Sequence, residues 1–318
     1  MTSPARITII LNPASAAGRT SARSSVIVEA IKQALGRECS IHLTRSQNDA
    51  PRATAEAIKQ GAGLVIAVGG DGTVHEVVNG FFEQGRLINP ECELGIVASG
   101  SGRDIAKNVG LPRSWEEQVQ CLADGQTRRV DVGCVTFRDM KGQTGAQYFV
   151  NECQVGIGGE VVRRVQQFHK RFGGTVAFAS ESVRALFRYR SPSLSVQLGE
   201  NEMLSGAFLG LVIANGSLMG GGMKLAPDAK LDDGLFDLLA VPDYRLPRRL
   251  WSFFKIYRGT HLTVPGMKYL KTEAVKVTSE EPTLVATDGE LLGTTPCDVA
   301  MLKSALKVRC SSNNSKQS

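Results

Sequence analysis

The run Leu64-Val65-Ile66-Ala67-Val68 stops at Gly69-Gly70-Asp71-Gly72 and passes straight into Thr73-Val74-His75-Glu76-Val77-Val78-Asn79-Gly80. An unbroken apolar run bounded by glycines reads as a buried strand. Val74, Val77, Val78 and Phe81 then recur at spacings of three and four, which puts one apolar face on a helix over about Thr73–Phe82. The glycines permit positive φ and let a ligand come close to the backbone. Free N–H groups at the helix start suit a phosphate. Asp71 adds a carboxylate, which is unhelpful to a bare phosphate but useful to a Mg²⁺–phosphate or to a reacting hydroxyl. The plainer alternative is a tight turn with Asp71 as a cap; the extension to Thr73, Glu76 and Asn79 favours a site.

The same punctuation recurs through the first third of the chain. Ile7–Leu11, Ser40–Leu43, Leu64–Val68 and Leu94–Val97 read as strands. Ser21–Leu35, Pro51–Gln60, Thr73–Phe82, a start near Asp104 and Trp115–Ala123 read as helices. Repeated βα units imply a parallel sheet with helices on both faces. Glycine-rich turns after the strands fall where such sheets bind ligands. After about Thr127 the pattern changes. Arg129–Phe137, Gln147–Val155, Ser193–Leu198, Ala207–Ala214, Leu235–Val241, Ala274–Thr278 and Thr283–Thr287 read as strands, with helices only at about Gly159–His169, Val176–Tyr189 and Leu246–Tyr257. This half fits a mostly antiparallel β-sandwich. The fold class expected is therefore α/β: residues 1–128 as a parallel-sheet domain, 129–310 as a β-sandwich domain, and 311–318 as a disordered polar tail.

Composition narrows the partners. The chain has 318 residues, enough for two domains, and a net charge of +6. That charge suits a nucleotide, a nucleic acid or anionic lipid head groups. A nucleic-acid binder would carry basic motifs interleaved with aromatics on a sheet, and none is present. No stretch approaches the roughly 20 apolar residues that span a bilayer. The start, MTSPARITIILNP, is too short and too badly flanked for a signal peptide, so a cytoplasmic protein is expected. The seven cysteines form no C-x-x-C pair and the four histidines lack metal spacing. There is no G-x-x-x-x-G-K-[ST], so this is not a P-loop enzyme.

The segment Gly69–Gly80 resembles the signature of the diacylglycerol kinase catalytic-domain family, which includes bacterial soluble lipid kinases, sphingosine kinases and ceramide kinases. Three further stretches agree in order. Asn12-Pro13-Ala14-Ser15-Ala16-Ala17-Gly18 is similar to the family's N-terminal phosphate loop. Gly100-Ser101-Gly102-Arg103-Asp104-Ile105-Ala106 is similar to its second glycine-rich loop, and Asp288-Gly289-Glu290 to its late acidic motif. The chain departs from the pattern at Arg103, where Asn is usual, at Ser101, where Thr is frequent, and at Ala16-Ala17, where Ser-Gly is usual.

The resemblance implies a nucleotide-binding α/β domain, a lipid-binding β-sandwich and an active site in the cleft. It implies ATP and Mg²⁺ as cofactors, with transfer of the γ-phosphate to a hydroxyl of diacylglycerol or a similar lipid alcohol. The nucleotide would take Asn12, Pro13, Ala14, Ser15, Ala16, Thr44, Gly70, Asp71, Gly72, Thr73, Val74, His75, Glu76 and Ser101. Asp288 and Glu290 would supply the base, the choice between them staying open, and Asp71 the metal–water network. Asp288-Gly289 alone reads equally well as a hairpin turn. Lys230-Leu231-Asp232-Asp233-Gly234-Leu235 is similar to a structural Mg²⁺ loop, with the Lys230 and Leu235 carbonyls and the Asp233 carboxylate as ligands; a plain Asp-Gly turn is the alternative. An NAD kinase-like enzyme shares the GGDGT loop and pairs it with an Asn-Glu motif, for which Asn151-Glu152 is the candidate. A non-catalytic nucleotide-binding relative is a further alternative. The implied partner is a lipid at a membrane surface, met at the inner face by peripheral contact, with a homodimer left open. Leu250, Phe253, Phe254 and Tyr257 share one face of a cationic helical segment, which suits either packing or membrane contact.

Overall fold

The computed structural model describes residues 6–14, 19–100, 103–124, 126–168, 175–199 and 202–311, without the side chains of 19–22, 168 and 175–179. The chain divides into two compact units, Met1–Val130 with Ser304–Ser318, and Asp131–Lys303. It passes from one to the other inside two long strands, β7 (Gln126–Arg138) and β16 (Glu290–Cys310).

In the first unit, β1 (Arg6–Leu11), α1 (Arg19–Leu35), β2 (Ser40–Leu43), α2 (Asp49–Lys59), β3 (Ala62–Gly69) and α3 (Asp71–Asn79) are followed by a small β4–β5 hairpin (Phe82–Glu83, Arg86–Leu87). Next come β6 (Glu93–Ala98), α4 (Asp104–Asn108) and α5 (Trp115–Asp124). The sheet runs β2-β1-β3-β6, every pair parallel, in the register Ile9↔Ile66 and Ile66↔Gly95. Ile7, Ile9 and Leu11 of β1 alternate toward one face and pack with Leu64, Ile66 and Val68 of β3 under Ile27 and Ile31 of α1 and Val119 and Leu122 of α5. The other set, Ile10, Val65 and Ala67, is also buried. Strands buried on both faces read as continuous apolar runs, which is why this half is legible. Lys307–Val308 of β16 extend the sheet beyond β6, again in parallel. The sequence places 129–310 wholly in the second domain, yet residues from Ser304 belong to the first unit, because β16 outruns its antiparallel partners.

The second unit is antiparallel. Beyond β7 it contains β8 (Thr144–Phe149), β9 (Glu152–Gly156), α6 (Ile157–Phe168), α7 (Thr175–Arg188), β10 (Ser193–Leu198), β11 (Glu202–Ala214) and β12 (Phe236–Pro242). It continues with α8 (Leu246–Tyr257), β13 (Lys268–Thr272), β14 (Ala274–Ser279), β15 (Leu284–Thr287) and most of β16. The pairings run in a circuit: β9 with β11, β11 with β10, β10 with β14, β14 with β16, β16 with β15, and β15 back to β9. Phe149, Phe236, Val196, Ile213, Val277 and Val285 lie in the core this circuit encloses. No helix among the described residues is long and apolar enough to cross a membrane.

One strand expectation is corrected. Gln147–Val155 is not one strand: it breaks at Val150–Asn151, whose amides are taken by a side chain instead of a neighbouring strand. β13 and β16 escape the sequence reading, since β13 is half exposed and lysine-flanked, and the apolar residues of β16 are interrupted by Gly293, Pro296 and Asp298.

Asn215 fastens this broken strand. It is fully buried, and its amide nitrogen donates to the Asp131 carbonyl at 2.9 Å and the Val150 carbonyl at 2.7 Å. Its backbone N–H reaches the Asn151 carbonyl at 2.7 Å. Asn215→Ala strands two buried carbonyls, each costing roughly 1–3 kcal/mol. Urea denaturation should therefore show a loss of about 2–6 kcal/mol; an unchanged midpoint would contradict this role.

Candidate active site

In the first unit the candidate nucleotide residues gather at the carboxyl ends of adjacent parallel strands. β1 runs into Asn12, whose N–H donates to the Val68 carbonyl of β3 at 3.1 Å. The Asn12 side chain donates to Thr73 Oγ1 at 3.2 Å and accepts the Ala14 N–H at 3.0 Å. Thr44, just past β2, donates its N–H to the Leu11 carbonyl at 2.9 Å. The following residues are pinned by Asp49, which accepts from the Arg45 N–H at 3.0 Å and contacts His42 at 3.1 Å. The Arg45 amide and His42 pull Asp49 down to about 2.

β3 enters α3 through Gly70, and Thr73 and Val74 donate their N–H groups back to the Gly70 carbonyl. The helix starts at Asp71, two residues before the sequence expectation, because glycine cannot mark the first turn by apolar periodicity. β6 ends beside it: Ser99 donates to the Gly69 carbonyl at 2.8 Å. A Cβ on Gly100 would lie 2.7 Å from the Gly70 Cα, so the two loops touch through bare backbone. Asp71 then bridges them. Its Oδ2 accepts the Asp104 N–H and its Oδ1 the Ile105 N–H, both at 3.1 Å, at the start of α4.

Not every candidate residue presents its side chain. Val74 and His75 are buried in α3, and the His75 ring lies against Asn79, which also donates to the His75 carbonyl at 2.9 Å. Glu76 is half-buried and accepts the Asn48 N–H at 3.4 Å; burial pushes its carboxyl up. Arg103, where Asn is usual, stands at φ 55 before α4 and donates to the Arg113 carbonyl at 2.7 Å. That left-handed position is one Asn tolerates readily. Ser15, Ala16 and Ser101 lie outside the described residues.

In the second unit, Asp288-Gly289 is the turn between β15 and β16, with φ of 46 and 84, so the hairpin reading holds. The turn also does more. The Asp288 carboxylate accepts the N–H groups of Val150, Asn151 and Glu152 at 2.9, 2.9 and 3.0 Å, and its own N–H donates to the Glu152 carbonyl. This is why β8 and β9 are separate strands. Glu290 is partly exposed and accepts from Gln166 of α6 at 3.0 Å. Gln166 escapes the sequence reading, since a lone glutamine on a helix carries no signal. Asn151 and Glu152, weighed above as an Asn-Glu motif, are both buried.

The loop 230–235 offers oxygen donors from Asp233 and from the Lys230 and Leu235 carbonyls. Asp233 Oδ1 accepts the Leu235 N–H at 3.1 Å, and Oδ2 holds the Lys271 ammonium at 2.7 Å. Asp237, wholly buried, lies 3.6 Å from the same ammonium. Burial pushes Asp237 up, and the bond to Asp233 pushes Lys271 up. Gly234 is fixed by the buried Asp131 carboxylate at 2.7 Å. Mg²⁺ takes one or two carboxylates plus carbonyls and waters, so the donor set fits such an ion. Lys271 is the cation already resident at Asp233.

Comparison with known proteins follows the same division. The diacylglycerol kinase catalytic domain family matches residues 6–135, and the YegS C-terminal NAD kinase beta sandwich-like domain family matches 151–310. A diacylglycerol kinase of Bacillus subtilis (strain 168) is 30% identical over 92% of this chain and 91% of its own length. A probable lipid kinase YegS-like protein of Chromohalobacter salexigens is 30% identical over 85% of this chain and 82% of its own. Among solved structures, a diacylglycerol kinase from Bacillus anthracis str. Sterne has a TM-score of 0.71 at 21% identity, covering 98% of this chain and 99% of that one. A yeast NADH kinase complexed with NADH shares the fold more distantly, with a TM-score of 0.52 at 12% identity over 97% and 84% of the two chains.

The donor set at Asp233 gives a testable outcome without nucleotide. Added Mg²⁺ should raise the melting temperature of the wild type. Asp233→Ala should lower that temperature and abolish the Mg²⁺ response, and Lys271→Met, which removes the competing ammonium, should enlarge the response. Melting curves of wild type and Lys271→Met that ignore Mg²⁺ would reduce the loop to a simple turn.

Proposed function

The chain belongs to the diacylglycerol kinase catalytic-domain family, with a YegS-type C-terminal domain, and from this we propose that it is an ATP- and Mg²⁺-dependent lipid kinase. The acceptor is the hydroxyl of diacylglycerol or a similar lipid alcohol. The names of the relatives support this substrate class. The observation that carries the reading is the contrast between the two carboxylates of the late motif. Asp288 is spent on three backbone amides and so positions the turn. Glu290, one residue past the glycine, is partly exposed and accepts a side-chain amide from Gln166 of α6. Glu290 is therefore assigned as the general base and Asp288 as its positioning residue.

Phosphoryl transfer asks little covalent chemistry of the protein. The acceptor hydroxyl gives its proton to the Glu290 carboxylate as its oxygen bonds to the γ-phosphorus. The bond from that phosphorus to the bridging oxygen breaks, and ADP leaves with the electron pair. Mg²⁺ bound with the nucleotide would neutralise charge on the phosphate oxygens, and Asp71 would hold it through water. Asn12, Thr44, Gly70, Gly72 and Thr73 form the phosphate cradle, with the start of α3 as the anion-binding end. In the second unit, Asp233 with the Lys230 and Leu235 carbonyls is the proposed structural Mg²⁺ loop.

Full-length protein with Mg²⁺ and γ-labelled ATP, offered diacylglycerol micelles, sphingosine or NAD, tests the reading directly. Label should enter a lipid alcohol; label in NAD alone, or in no acceptor, would overturn it. Glu290→Gln should lower kcat by about 10²-fold or more, with little change in the KM for ATP. Asp288→Asn should lower both kcat and thermal stability. A Glu290→Gln enzyme with wild-type kcat would remove the base assignment.

A further inference from the structure

The helix α8 has two apolar faces, and only one of them is covered. Ser252 is buried, and Phe253 and Ile256 pack against the cluster of Met219, Met223, Leu225 and Leu239. Phe253, grouped with Phe254 in the sequence reading, thus turns inward. On the opposite side Leu246, Trp251, Phe254 and Tyr257 are exposed, Phe254 at 68%. With 3.6 residues per turn these four span an arc of about 140°. A surface helix ordinarily puts polar residues there.

The charge around this arc has one sign. From Arg245 to Arg258 there are five cations and no carboxylate. Lys255 lies 4.3 Å from the centre of the Trp251 ring and Arg248 lies 4.6 Å from that of Tyr244. Arg249 is not a free surface charge. Its guanidinium donates to the Leu186 and Tyr189 carbonyls of the α7 end and pairs with Asp243. That tie brings the end of α7 alongside, where Phe187 is 55% exposed and Arg188 and Arg190 are exposed as well. Glu181, the carboxylate of this stretch of α7, is buried and paired with Arg184.

We infer that the outer face of α8, with the end of α7, is the surface that docks this protein on an anionic bilayer. Aromatics with polar edges settle at the head-group level, and interleaved cations meet anionic lipids. The complementarity favours a bilayer over a second copy of the chain, because two-fold pairing of this patch with itself would set cation against cation. The inference rests on the lipid-kinase reading only for the reason to meet a bilayer; the residues involved lie outside the catalytic set.

Co-sedimentation of the full chain with phosphatidylglycerol and with phosphatidylcholine vesicles tests it. Binding should favour phosphatidylglycerol, weaken as salt rises, and shift Trp251 emission to the blue. The double variant Trp251→Ser/Phe254→Ser should lose binding by at least about tenfold. Arg245→Gln/Arg258→Gln should narrow the preference for the anionic lipid. Both should keep the wild-type melting temperature and rate on a dispersed short-chain diacylglycerol. Variants that bind phosphatidylglycerol like the wild type would overturn the inference. So would a Trp251→Ser/Phe254→Ser protein that changes from dimer to monomer without loss of vesicle binding. A wild type inactive on the short-chain substrate would instead reject the kinase reading and leave the vesicle result standing.

Discussion

Asp71 ties together two turns that end adjacent parallel strands. Loops at the ends of β3 and β6 touch through Gly70 and Gly100, a contact that supplies no side chain to hold it. The Asp71 carboxylate closes that gap by accepting two amides at the start of α4. Amide bonds to a charged acceptor are worth roughly 1.5–3 kcal/mol each, and α4 is only one turn and a half long. One side chain therefore ties the start of α4 to the start of α3. In the proposed reading that same side chain serves the metal and water at the phosphates.

The second unit repeats the device. Asp288 gathers three amides from the break between β8 and β9, and the strand that follows its turn begins with Glu290. In both units an aspartate in or beside a glycine turn organises backbone that periodic secondary structure leaves unpaired. Such amides must find partners when buried, and a carboxylate can serve several at once. Asn215 and Asp131 extend this bonding in the second unit to the 230–235 loop, so the turn bearing Glu290 and the candidate cation loop share one hydrogen-bonded support.

The parallel half was legible because β1, β3 and β6 are buried on both faces and glycine turns punctuate them without ambiguity. The candidate loops were legible as turns for a related reason: Gly69–Gly72 and Asp288–Gly289 are local turn signals. What was not legible depends on distance in sequence. Nothing in Asp71 announces Asp104 and Ile105 as its partners, and nothing in Asp288 announces residues 150–152. The single strand read over Gln147–Val155 failed because a side chain more than 130 residues away outbids strand pairing at Val150. The exposure of Phe254 beside the burial of Phe253 was equally hidden, since a stripe of apolar residues does not say which part of it the core will take.

In the proposed function, Asp71 stands where nucleotide chemistry occurs and does not merely cap a helix. The most direct measurement is γ-phosphate transfer from ATP to a lipid alcohol by Asp71→Asn, compared with the wild type alongside melting curves of both. Asparagine keeps an oxygen for one α4 amide but removes the charge. The variant should stay folded while its kcat falls by about 10²-fold or more. A folded Asp71→Asn protein that turns over at the wild-type rate would contradict it.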